Sequence, residues 1–148
     1  MAPSLRLSMA AGLMLAASGF SALVFQVLWI KQLSLVVGVE VHAIAIGIAA
    51  FFAGLALGGA WGGPLADRSA QPLRLYAAIE AGIALLACLA TRALAHSAAP
   101  FTWLEGHAGA LAWLLPVVLG ALPAVLMGAT LPVMLRALAP ADGALGRA

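Results

Sequence analysis

Among the residues able to do chemistry, Glu80 stands in the least ordinary surroundings. It lies in an apolar run between Arg74 and Arg92, six residues beyond Arg74, or about 9 Å at the rise of an α-helix. An ionised carboxylate at that depth must be protonated, paired or facing water. It reads either as a proton- or cation-binding group or as a polar contact within a helix bundle. Gln26, beside Phe25 and Trp29, offers an amide and two aromatic faces. That set suits a cationic or polar ligand, or a hydrogen bond between helices. Glu105, His107 and His96 are of metal-ligating types but lack a ligand spacing, so no metal site is expected from them. No Gly-rich phosphate loop follows a strand, and no Ser-His-Asp or Cys-His set can be assembled. The sequence thus gives no catalytic residue, and no cofactor is expected.

The strongest local pattern is GGPLADRS, Gly62 to Ser69. It reads as a loop between two helices. Gly62 and Gly63 allow a tight helix end, and Asp67 and Arg68 can pair with neighbouring helix ends. An ordinary loop with one acid–base pair would look the same.

The elements that must position these groups follow from composition. Of 148 residues, 65% are hydrophobic and 8% charged, and the mean hydropathy is +1.12. Soluble domains carry about 25% charged residues, so a soluble enzyme domain is excluded. About 20 apolar residues make a helical span, and charges divide the chain into four. The expected spans are 7–30, 41–66, 74–94 and 108–135, with short connectors at 31–40 and 92–107 and a stub at 136–148. Strands do not compete, because open sheet edges are not tolerated in lipid. The expected fold class is all-α, a bundle of four transmembrane helices.

The first stretch begins like a signal peptide, but its apolar character runs on through Ile30, too far for a signal core. A retained span is expected. With the N-terminus in the cytosol, Arg6, Arg68, Arg74, Arg136 and Arg147 fall inside, and Lys31 and Arg92 outside. This asymmetry predicts cytoplasmic termini in a bacterial-type inner (plasma) membrane. Trp29, Trp61 and Trp103 fall near span ends, where interfacial rings sit well, and Trp113 lies deeper. The single cysteine, Cys88, reads as a small buried apolar side chain. Seven scattered cations make no basic patch, so nucleic acid is not an expected partner.

Gly54, Gly58 and Gly62 recur every four residues, which puts them on one helix face open to close backbone approach. That face serves simple packing or a sliding contact. Gly120, Ala124 and Gly128 repeat the pattern in the fourth span. There Pro116 and Pro123 bend the helix and either line a cavity or merely kink it.

Gly63-Pro64-Leu65-Ala66-Asp67-Arg68 resembles the signature loop of the major facilitator superfamily. Its basic continuation is degraded to Ser69-Ala70-Gln71-Pro72, with Arg74 the nearby cation. Ser18–Trp29 (SGFSALVFQVLW), Ala50–Gly58 (AFFAGLALG), Leu73–Glu80 (LRLYAAIE) and Leu126–Met134 (LMGATLPVM) narrow the match. Together they look like the membrane region of fused major-facilitator-like/spermidine synthase-like proteins, and the similarity covers nearly the whole chain. The resemblance implies the first four helices of a major facilitator-type bundle, truncated or split before a Rossmann-like aminopropyltransferase-type domain. That domain's nucleoside-binding loop and polyamine-site acids have no counterpart here, so no catalytic residue carries over. Gln26, Gly63, Asp67, Arg68 and Glu80 match family positions.

Two functions follow as expectations. One is a membrane module that binds or moves a small cationic, polyamine-like metabolite through Glu80 or Gln26, or anchors a synthase. The other is a non-catalytic assembly unit that needs a partner. In either case the lipid bilayer and a second copy or additional membrane helices are expected partners. A small four-span exporter is disfavoured, since its essential carboxylate belongs in the first span, where this chain has none.

Overall fold

The computed structural model describes residues 3–38 and 40–139, with side chains over 8–38 and 41–139. Arg147 and the stub beyond residue 139 lie outside the described residues, as does the side chain of Arg6. The chain is all-α. Its elements are α1 (Pro3–Val37), α2 (Glu40–Asp67), α3 (Pro72–Ala95), α4 (Ala98–Ala108), a 3₁₀ segment (Gly109–Trp113) and α5 (Leu114–Leu138). Four segments are long and apolar enough to cross a membrane: Ser8–Val37, Val41–Asp67, Pro72–Ala95 and Ala98–Leu138.

Helix ends fall where backbone chemistry puts them, not where charges do. Lys31 to Val37 contain no breaker, so α1 continues through most of the expected 31–40 connector. It stops at Gly38, whose φ of +73° is open to glycine at little cost; the Gly38 N–H closes the last turn on the Ser34 carbonyl at 3.0 Å. The 92–107 connector likewise shrinks. Arg92 lies in the last turn of α3, and α4 forms from Ala98, with Pro100 in its first turn, where a missing N–H is tolerated. Gly109, at φ +55°, ends α4 and shifts the start of the fourth long helix from 108 to Leu114. At the other end, GGPLADRS is not a loop throughout. Helix α2 runs past Gly62 and Gly63 and through Pro64 to Asp67, leaving residues 68–71 as the connector.

Helices α2 and α5 form the most extensive interface, and they run parallel. A Cβ on Gly54 would meet the Ala121 carbonyl oxygen and Ala124 Cβ at 2.7 Å. One on Gly58 would overlap the Val125 carbonyl, and one on Gly62 would meet Ala129 Cα at 2.8 Å. From the other side, a Cβ on Gly128 would overlap the Leu55 carbonyl. The two small-residue rows expected from sequence thus meet each other, and van der Waals contact between backbones holds the pair. Gly63 and Gly120 have open space beside them.

Helix α3 packs next most closely on α5, through a core of Tyr76, Ile79, Ile83, Ala87, Met127, Val133 and Met134. Helix α1 lies across α2, α3 and α5 more lightly. Of its most apolar window 11% is buried, against 28% in each of the other three segments. Its anchor is Trp29, which is 5% exposed. The indole N–H donates to Thr91 Oγ1 of α3 at 2.9 Å, and the ring stacks on Phe25 at 5.6 Å. Trp29 is therefore a contact between helices and not an interfacial ring, because its N–H finds a partner on α3. Trp61 and Trp103 are exposed, and Trp113 packs edge-on against Phe101. Cys88 is exposed, contrary to the burial expected from its apolar run. It lies beside Leu85 and Leu89, on a face of α3 that other helices leave open.

Candidate functional site

The lightly held helix leaves a cleft against α3 and α5. Residues Ser18 and Ser21 of α1 face Tyr76 and Glu80 of α3 across it, with Met127 of α5 at its base. The space is an open cleft of about 340 Å³, at the low end of small-ligand sites, which run from about 300 Å³ upward.

Local helix geometry sets the polar wall. Tyr76 and Glu80 are four residues apart in α3 and so share a face. Pro72 and the Gln71 carbonyl, which accepts the Leu75 N–H at 3.1 Å, fix the start of that helix. Tyr76 is 2% exposed, and its side chain hydrogen-bonds with both Glu80 and Ser18. Three side chains from two helices therefore form one polar chain. Ser21, one turn along α1, donates to the Ala17 carbonyl at 2.9 Å, which leaves its oxygen lone pairs free to accept.

Glu80 completes the wall. Its Oε1 is buried and has no hydrogen-bond partner. A carboxylate oxygen taken from water without a donor is costly, and a proton or a cation removes that cost. Only Glu80 carries a charged side chain among the residues lining this cleft.

Gln26 does not share the site. It borders a separate cavity of about 20 Å³ between α1, α2 and α5, with Trp29, Gly47, Phe51 and Pro116 among its walls. That is room for roughly one water molecule. The aromatic faces expected beside Gln26 are taken, since Phe25 and Trp29 stack on each other and the Trp29 N–H bonds Thr91. Pro116 does line a cavity, though this small one. Thr130, at the depth of Glu80, donates to the Met127 carbonyl at 2.7 Å. It lines a neighbouring cleft between α1, α2 and α5, which shares Ser18, Ala22 and Met127 with the first.

The motif residues lie at the end of the bundle where α2 and α5 finish. Asp67 Oδ1 is 3.7 Å from Arg136 Nε, pairing the end of α2 with the last turn of α5 as the sequence predicts. Arg68 is an exposed turn residue, and Gly63 is helical with open space beside it.

The chemistry open to this arrangement is holding charge. His42, His96 and His107 all belong to the opposite end of the bundle, near the ends of α2, α3 and α4, so no imidazole stands by the Ser18 or Ser21 hydroxyl as a base. His96 Nδ1 lies 2.8 Å from the Arg92 carbonyl, and the His107 ring stacks on Trp103 at 4.4 Å. Among the described residues no three His, Cys, Asp or Glu come together.

Sequence reading found Glu80 but not its neighbours. The i,i+4 spacing of Tyr76 and Glu80 was the available signal for Tyr76. Ser18 and Ser21 carried only the hint of two hydroxyls three residues apart in an apolar span.

Comparison with family models, with curated proteins and with solved structures gives no match for this chain.

Proposed function

We propose that this four-helix membrane module binds a small organic cation in the cleft between α1 and α3, with Glu80 as the counter-charge. Glu80 Oε1 carries the reading: a buried carboxylate oxygen without a donor, on the wall of a cleft large enough for a small molecule. An ammonium group placed there would supply hydrogen bonds and charge together, and the Ser18, Ser21 and Tyr76 oxygens would accept its remaining N–H groups. The resemblance to fused major-facilitator-like/spermidine synthase-like proteins favours amines of the polyamine kind, and a bundle that works beside further helices or a synthase-type domain. Gly63, Asp67 and Arg68 would then serve the coupling of helix ends, not ligand contact.

The test is equilibrium binding of a radiolabelled amine to the chain in lipid nanodiscs, beside Glu80→Gln and with thermal stability measured on both. Saturable binding that Glu80→Gln removes while stability is kept supports the reading. An assembly unit gives the opposite pattern, in which Glu80→Gln lowers stability and no amine binds saturably to the parent.

A further inference from the structure

We infer that the Glu80 cleft accepts a single ammonium group, so that the ligand it fits is a singly charged amine with an apolar body and not a polyamine engaged along its length. This rests on the binding reading above and narrows its substrate class.

The argument is electrostatic. Glu80 supplies the only charge on the cleft wall, and its oxygen acceptors are gathered around it: Ser18, Ser21 and the Tyr76 hydroxyl. Beyond that cluster the wall turns apolar, through Met14, Ile83 and Met127. The next described carboxylate, Asp67, lies at the end of α2, where it pairs with Arg136 and is 77% exposed. A diamine or triamine seated on Glu80 would therefore lay its other ammonium groups against methionine and isoleucine. An unpaired charge in such surroundings is strongly disfavoured. An alkyl or aryl body in the same place gains from burial, and methionine side chains adapt to its shape. The cleft's modest size of about 340 Å³ points the same way.

Matched amines separate charge from length. Radiolabelled hexylamine is bound to the chain in nanodiscs and displaced by unlabelled hexylamine, hexamethylenediamine or spermidine, with Glu80→Gln as the blank for partition into lipid. Hexylamine is expected to displace at concentrations at least about tenfold lower than either polyamine, a ratio that a small differential in binding free energy suffices to give. A second variant, Met14→Glu, adds a carboxylate about two turns away on α1 along the same cleft, and is expected to bring hexamethylenediamine level with hexylamine. Displacement by the diamine or by spermidine at concentrations equal to or below those of hexylamine, with Glu80 still required, overturns the single-charge inference and leaves the binding reading standing. Loss of all Glu80-dependent displacement overturns both. If Glu80→Gln does not fold, the selectivity of the parent and its shift in Met14→Glu decide the matter, and an unchanged preference in Met14→Glu overturns the inference.

Discussion

The Trp29 indole N–H meets Thr91 Oγ1 at 2.9 Å, and this bond joins the least buried long helix, α1, to α3. It stands at the far end of the α1–α3 seam from Ser18 and Tyr76. Helix α1 is thus held at two polar points, with the cleft's Glu80 set between them. The cleft exists because α1 is not sealed along its length, and the bond at Trp29 keeps that opening from becoming separation.

Removing the acceptor should loosen α1 without emptying the core. Thr91→Val keeps the side-chain shape and leaves a buried indole donor unsatisfied, at a cost of about 1 kcal/mol. Denaturation in detergent should show this loss. Trp29→Phe combined with Thr91→Val should cost less than the sum of the two single changes. Strict additivity would mean that the bond contributes nothing.

The α2–α5 contact makes a sharper contrast. Gly58→Ala would drive a methyl into the Val125 carbonyl, whereas Gly63→Ala meets open space. The first should destabilise by about 1–3 kcal/mol or more. The second should be neutral to mildly stabilising, since alanine is the better helix former. Thermal unfolding of the two variants side by side reads the difference, and equal midpoints would refute the close parallel packing.

The Asp67–Arg136 pair should contribute little. At 3.7 Å, with Asp67 mostly exposed, its coupling in a double-mutant cycle of Asp67→Asn and Arg136→Gln is expected below about 1 kcal/mol and smaller still in high salt. A larger, salt-insensitive coupling would show the pair to be shielded in the membrane-embedded protein.

Gln26 and Glu80 should separate cleanly. Gln26→Leu should leave amine binding within about twofold, because the cavity it lines has room for roughly one water. Glu80→Gln should weaken binding by about tenfold or more, the usual scale for a hydrogen bond to a charged group. Binding isotherms in nanodiscs check both, and equal losses would place Gln26 in the site.

Much of the architecture was legible because membrane helices advertise themselves. Four apolar stretches and two rows of small residues named the spans and the faces that meet. Charges were poor guides to helix ends, since Lys31 and Arg92 sit within helices and the stops come from Gly38 and Gly109, where the backbone takes a positive φ. Pro64 misled in the other direction, because the last turn of a helix packed through Gly62 survives one missing N–H. Within the site, Glu80 was visible as an acid in an apolar run. Which face it shared with α1 was not, because the angular position of α1 depends on the Trp29–Thr91 and Ser18–Tyr76 contacts, and those join residues about sixty positions apart. Trp29 and Cys88 were misplaced for the same reason: position along a span says how deep a residue lies, not which side of its helix faces a neighbour.

The most direct test of a cation at Glu80 is chemical protection of its carboxyl. A lipid-soluble carbodiimide would be applied to the chain in membranes with and without hexylamine, and the modification of Glu80 quantified by peptide mass spectrometry. The account predicts slower modification of Glu80 with rising amine, while Glu105, exposed on α4, reacts at an unchanged rate. A Glu80 rate unaffected at saturating amine, with the carboxyl reactive throughout, would contradict it.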